Sequence, residues 1–153
     1  MIINIADIPE QGLKFKAEEP GETLGLGEAD GFIPAGPVDC DLYAQVVDGE
    51  LIVRGTLSVP VEARCARCTQ FFSTTVTDSG FLRDFPDVLG VEEVDITEDI
   101  REAVILNLPY SPLCDENCKG LCVQCGKDLN GGPCGCRRRE ESGSWGALNS
   151  LKL

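Results

Sequence analysis

The sequence predicts an α+β fold: an antiparallel sheet or partly closed barrel with one main helix, followed by a cysteine-rich C-terminal module. Three observations point there. Apolar residues alternate with period two between Val38 and Val61, as in strands with one buried face. The spacing turns helical near residue 96. Nine cysteines stand among 153 residues, and six of them lie in the last forty.

Taken in order, residues 18–36 are acidic and rich in glycine and proline, and read as a long loop. Val38, Cys40, Leu42, Ala44 and Val46 then alternate with Asp39, Asp41, Tyr43 and Gln45. Asp48-Gly49 supplies a hairpin turn, and Leu51, Val53, Gly55, Leu57, Val59 and Val61 continue the alternation on the return strand. A Phe- and Thr-rich strand is expected over about 69–77. Asp95-Ile-Thr-Glu98 resembles a capping box, and Ile96, Ile100, Ala103, Val104 and Leu108 fall on one helical stripe, which predicts a helix over about 96–108. Pro109 and Pro112 end it and set a boundary between an α+β domain (1–112) and a cysteine-rich module with its tail (113–153). In the tail, Trp145, Leu148 and Leu151 form a short apolar stripe, read as docking on the domain or on a partner.

Charge and residue usage exclude several functions. With 26 acidic and 13 basic residues the chain carries −13, which argues against coating nucleic acid or an anionic membrane with its whole surface. The charge is uneven: residues 1–63 hold 12 acids and 3 bases, whereas 114–153 hold 5 acids and 6 bases. Histidine is absent, so no Ser-His-Asp triad, Cys-His dyad or HExxH site can exist here. No carboxylate cluster has metal spacing: Asp84 and Asp87 read as an acidic loop, and Glu92, Glu93 and Asp95 as the approach to a helix N-terminus. A non-enzymatic protein without a small-molecule substrate is therefore expected. The start MIINIADIPEQG resembles no signal peptide, and no run of about 18–20 apolar residues suggests a membrane span. A reducing, cytoplasmic setting is the expectation, and there thiols stay free or bind metal.

The cysteines come in close pairs. Cys65 and Cys68 form CxxC, Cys114 and Cys118 CxxxC, Cys122 and Cys125 CxxC, and Cys134 and Cys136 CxC. Thiolates two residues apart can face one ion across a tight turn whose amides donate to the sulfurs. Gly126, directly after Cys125, suits the positive φ such a knuckle often needs. Four pairs make two four-cysteine sites, so about two zinc ions per chain are expected, zinc being favoured by closed thiolate coordination. An iron–sulfur cluster lacks its usual C-x2-C-x2-C-x3-C run here. A redox CxxC would need a βαβ setting, and a disulfide framework an oxidising compartment. Cys65 and Cys68 are expected to pair with Cys114 and Cys118, leaving Cys122, Cys125, Cys134 and Cys136 as a local site. The rival partition joins 65/68 to 122/125. Cys40, in register with Val38 and Leu42, reads as a buried apolar residue.

The run Cys118-Lys-Gly-Leu-Cys-Val-Gln-Cys-Gly126, with Asp128-Leu-Asn130 and Cys134-Gly-Cys136 after it, resembles the C-terminal signature of the YceD family, the large ribosomal RNA subunit accumulation proteins. Cys65-Ala-Arg-Cys68 and Arg101-Glu-Ala-Val-Ile-Leu-Asn-Leu-Pro109 are similar to that family's mid-chain motifs, so the resemblance covers about 38–153. It departs at Ser142-Gly-Ser before Trp145, where many relatives carry Asp-Pro-Arg. The resemblance implies a factor for synthesis, processing or stability of large-subunit, 23S-type rRNA in ribosome biogenesis. Its partners would be that rRNA, a basic ribosomal protein, or both. An acidic zinc-containing adaptor that does not touch RNA is the alternative. Candidate RNA contacts are Arg64 and Arg67 at the first knuckle and Arg137, Arg138 and Arg139 after the last cysteine, with Lys119 and Lys127 between them. Glu140 and Glu141 follow the arginine triplet, so a solvated, charge-balanced surface is the competing reading. Phe71 and Phe72 could stack on bases, although neighbouring strand residues face opposite ways.

Overall fold

The alternation over 38–61 folds as a long hairpin. In a computed structural model that describes residues 1–136, strand β4 (Val38–Val47) turns through Asp48 and Gly49 into β5 (Glu50–Arg64). Both turn residues have positive φ, 51° and 85°, as a two-residue type I′ turn requires. Gly55 lies opposite Leu42, where an added Cβ would stand 2.1 Å from the Asp41 carbonyl oxygen. Only glycine fits that approach.

Five strands form the main sheet. β2 (Leu13–Glu19) pairs with β4, and β3 (Phe32–Pro34) pairs with the far end of β5. On its other side β5 pairs along its length with β6 (Phe71–Phe85), and the register slips where β6 bulges at Ser79-Gly80. A separate ribbon joins β1 (Ile2–Asn4) to β7 (Glu93–Asp95). Helix α1 (Thr97–Leu106) follows β7 and packs on β5, β6 and the turn at 21–24.

The core lies between α1 and one sheet face. Val38, Cys40, Leu42 and Ala44 of β4 meet Leu51, Val53, Leu57, Val59 and Val61 of β5, Val76 and Phe81 of β6, and Ile96, Ile100 and Val104. Cys40 is a core residue, and burial pushes its thiol up to about 11. Among the described residues no polar or charged residue is buried.

Three elements differ from the sequence expectation. Residues 18–36 are an ordered strap: two 3-10 turns, Gly21–Leu24 and Glu28–Asp30, precede β3. Leu24 is completely buried, and its carbonyl accepts from Arg101 Nε at 3.2 Å. Glycine and proline content suggested a loop, but two apolar side chains, Leu24 and Phe32, anchor the strap in the core. The strand expected near 69–77 runs to Phe85, so Asp84 is a strand residue. The helix is shorter than 96–108, because Asn107 closes it through Nδ2 on the Ala103 carbonyl at 2.9 Å. At its start, the Asp95 carboxylate accepts from the Thr97 amide at 2.9 Å, while Glu98 pairs with Arg101 instead of completing a capping box.

Candidate metal centres

Each CxxC sits in the same local structure. At the end of β5 the Cys65 amide donates to the Gln70 carbonyl at 2.9 Å, and the Thr69 amide to the Cys65 carbonyl at 2.9 Å. In the second knuckle the Cys122 amide donates to the Lys127 carbonyl and the Gly126 amide to the Cys122 carbonyl, each at 2.8 Å. In both turns the amide two residues on donates to the first sulfur: Arg67 to Cys65 Sγ at 3.5 Å, Gln124 to Cys122 Sγ at 3.4 Å. Such turns aim two thiolates at one point and offset part of their charge. The residue after the second cysteine has a left-handed backbone, φ 63° at Thr69 and 72° at Gly126.

The first knuckle meets the chain that leaves α1. The Ala66 amide donates to the Pro112 carbonyl at 2.8 Å, which brings Cys114 to the sheet. An Asx turn at Asp115, with the Asn117 amide on its carboxylate at 2.7 Å, swings Cys118 round. Cys65, Cys68, Cys114 and Cys118 thus offer four sulfurs within 4.8 Å of one another, and so do Cys122, Cys125, Cys134 and Cys136. The expected partition is the one assembled here, and 65/68 does not meet 122/125. Sulfur contacts of 3.8 Å (Cys65–Cys118), 3.6 Å (Cys68–Cys114) and 3.3 Å (Cys122–Cys134) are near the ~3.8 Å edge of a tetrahedral zinc–thiolate site. The donor sets therefore fit zinc, and either group could hold a metal ion. In the first group Cys65, Cys68 and Cys118 are buried, beside Phe72 and Leu113; in the second Cys122 is buried and Cys125 exposed.

Proton affinities within each group are split. Burial pushes the Cys65 thiol up, but amides of Cys114, Cys68 and Arg67 outweigh it and leave about 6. Burial and then the neighbouring Cys68, Cys65 and Cys118 thiols push Cys114 up to about 12. Amides of Gln124 and Cys125 bring Cys122 down to about 6, and the hydrogen bond with Cys125, with burial, raises Cys136 to about 12. Four thiolates so close cannot all ionise without a cation between them.

Two residues at the first site, Arg67 and Asn130, carry more than sequence reading assigned. Arg67 reaches across the first site, donating through Nη1 to the carbonyls of Cys118 (2.9 Å) and Glu116 (3.0 Å). Its guanidinium thus holds the second pair of ligands. Asn130 links the two sites: its Oδ1 accepts from the Lys119 amide at 2.7 Å and its Nδ2 donates to Cys118 Sγ at 3.4 Å. The one sequence signal for Asn130 is its place in the Asp128-Leu-Asn130 run. Of the other RNA candidates, Arg64 lies 5.1 Å over the Phe71 ring and 3.7 Å from Glu28. Phe72 packs between the core and the first sulfur cluster, and Lys127 Nζ donates to the Pro133 carbonyl at 3.2 Å. Arg137, Arg138 and Arg139 and the Trp145, Leu148, Leu151 stripe lie outside the described residues.

Residues 77–152 match the family model of the large ribosomal RNA subunit accumulation protein YceD. An uncharacterized protein of Mycobacterium tuberculosis is 33% identical over 125 residues, covering 72% of this chain and 60% of that relative. An uncharacterized protein of Mycobacterium leprae is 28% identical over 107 residues, 61% of this chain and 49% of the relative. The chloroplastic large ribosomal RNA subunit accumulation protein YCED homolog 1 of Arabidopsis thaliana is 40% identical over 62 residues, 40% of this chain and 19% of the relative. The chain spans about 60% of the length of the mycobacterial relatives that it matches over 125 residues. No solved structure matches it.

Proposed function

Because the chain belongs to the YceD family, we propose that it promotes the accumulation of large-subunit, 23S-type rRNA during ribosome biogenesis. It does so as a non-enzymatic cytoplasmic factor whose C-terminal module is shaped by two zinc ions. A basic ribosomal protein supplies most of the affinity, and the rRNA is touched locally. The observation that carries this reading is the family match over 77–152, a stretch that includes six of the eight paired cysteines.

Charge favours the protein partner. The chain carries −13, and two zinc sites of four thiolates each add formal negative charge of their own. Several cations are also engaged internally: Arg67 on carbonyls, Arg83 on Asp99 and Glu102, and Arg101 on Glu98 and the Leu24 carbonyl. Little general attraction to phosphate remains.

The test is genetic and quantitative. Cells lacking the protein should show a lowered ratio of large- to small-subunit rRNA, restored by the full chain and not by Cys65→Ser/Cys68→Ser. An unchanged ratio in the null strain would overturn the proposal.

A further inference from the structure

The edge strands of the main sheet, β2, β3 and β6, are built differently, and β3 has only three residues, ending in Pro34. β2 carries Lys14, Lys16, Glu18 and Glu19 in seven residues, charges that discourage a further strand from pairing there. β6 opens with Phe71-Phe-Ser-Thr-Thr-Val-Thr77, seven residues of high strand propensity without a charge. Its only strand partner among the described residues is β5, and no main-chain hydrogen bond from a described residue reaches the other edge of 71–77. The Ser79-Gly80 bulge interrupts the edge beyond that point. An uncharged length of ladder that no described residue pairs is left, next to the first metal site at the Phe72 end.

We infer that the 71–77 edge of β6 accepts an extended, basic segment of a protein partner by strand addition. Backbone pairing needs an extended peptide, which duplex RNA cannot supply. Charge selects the peptide. Downstream of this edge, residues 84–102 hold eight acidic residues and one basic residue. Asp84 lies on β6 itself, and Asp99 and Glu102 of α1 meet β6 through Arg83 at 3.1 and 3.4 Å. A second copy would bring another −13 to the same edge, so self-pairing is opposed by the charge that attracts a Lys- and Arg-bearing segment. The segment has uncharged, β-forming residues against 71–77 and its basic residues towards 84–102. This rests on the proposed capture of a basic ribosomal protein and names the surface that performs it.

The probe is a set of synthetic 15-residue peptides tiling the large-subunit ribosomal proteins, with acidic and scrambled peptides of equal length, offered to the zinc-loaded full chain. At least one basic peptide should bind and slow amide hydrogen exchange across 71–77, with no comparable change in β2. Adjacent strand residues direct their N–H groups to opposite sides, so of Thr74→Pro and Thr75→Pro one breaks pairing with β5 and the other removes only an outward donor. The variant that keeps its zinc and its melting temperature should bind that peptide at least tenfold more weakly. Binding without protection at 71–77, no binding by any basic peptide, or a dimer in sedimentation that this variant abolishes would overturn the inference. A null strain with a normal rRNA ratio would instead overturn the proposed function and leave the peptide result standing.

Discussion

Thr69 and Gly126 stand at the same position of two knuckles and share a left-handed backbone, φ 63° and 72°. Glycine adopts that conformation freely, whereas a β-branched residue is strained in it. The structure therefore imposes on Thr69 a geometry that glycine already meets at Gly126. Thr69→Gly should leave stability unchanged or raise it by up to about 1 kcal/mol, the relief of strain exceeding the entropy cost of glycine. Gly126→Thr should lower the affinity of the second site for zinc. Thermal unfolding and chelator competition on the two variants check both, and the reverse ordering would contradict equivalent knuckles.

The ligand partition predicts separable metals. Full chain purified without chelator should carry about two zinc ions, one per four thiolates. Cys134→Ser with Cys136→Ser should release one of them and leave the sheet folded. Cys65→Ser with Cys68→Ser should destabilise the fold as a whole, since Cys65 and Cys68 pack with Phe72 and Leu113 at the sheet end. Elemental analysis with circular dichroism reads both. Loss of both metals in either double variant would contradict independent sites.

Metal loading should release protons. At a pH between the two sets of values, the metal-free chain keeps a proton on Cys114 and on Cys136, each held up to about 12, while Cys65 and Cys122, near 6, are already thiolates. Each zinc must displace at least one proton, so affinity falls as pH falls, and more steeply below about 6, where Cys65 and Cys122 also take protons. Titration of zinc into the apo-protein in weak buffer near neutral pH, followed by a pH indicator, measures this. Release of less than one proton per zinc would refute it.

Cys40 should behave unlike the other eight cysteines. Its folded-state value is near 11 against an ordinary 9.0. A raised value means that its contribution to stability is intact below about pH 9 and is lost as pH rises towards about 11. After zinc removal under conditions that keep the sheet folded, alkylation at mildly alkaline pH should modify the ligand cysteines and spare Cys40 until denaturant is added. Urea unfolding of Cys40→Ala should show a smaller loss of stability between about pH 9 and 11 than the native chain shows.

Any direct RNA contact should be weak in its salt response. If Arg64, Arg137, Arg138 and Arg139 touch rRNA, few phosphates are neutralised and the log–log salt slope should be on the order of −2 to −4. Charge reversal at 137–139 should weaken RNA binding without changing zinc content. Tight binding to isolated 23S-type fragments with a steep slope would show that RNA, and not a protein, supplies most of the affinity.

Local pattern was enough for much of this protein. Period-two alternation with Asp48-Gly49 specified the hairpin and its inward face, including Cys40, because strand orientation and turn type depend on neighbouring residues. Cysteine spacing marked the two CxxC pairs for the same reason, since each knuckle is closed by hydrogen bonds within six residues. What only the tertiary structure decided lies between distant segments. Whether Cys65 and Cys68 meet 114/118 or 122/125 depends on a chain path that returns 46 to 53 residues later. The burial of Leu24 under α1 and the commitment of Arg67 to the Cys118 carbonyl depend on such contacts too. Sequence periodicity records which face a residue prefers, and the identity of its partner across the core is set only when the whole chain has packed.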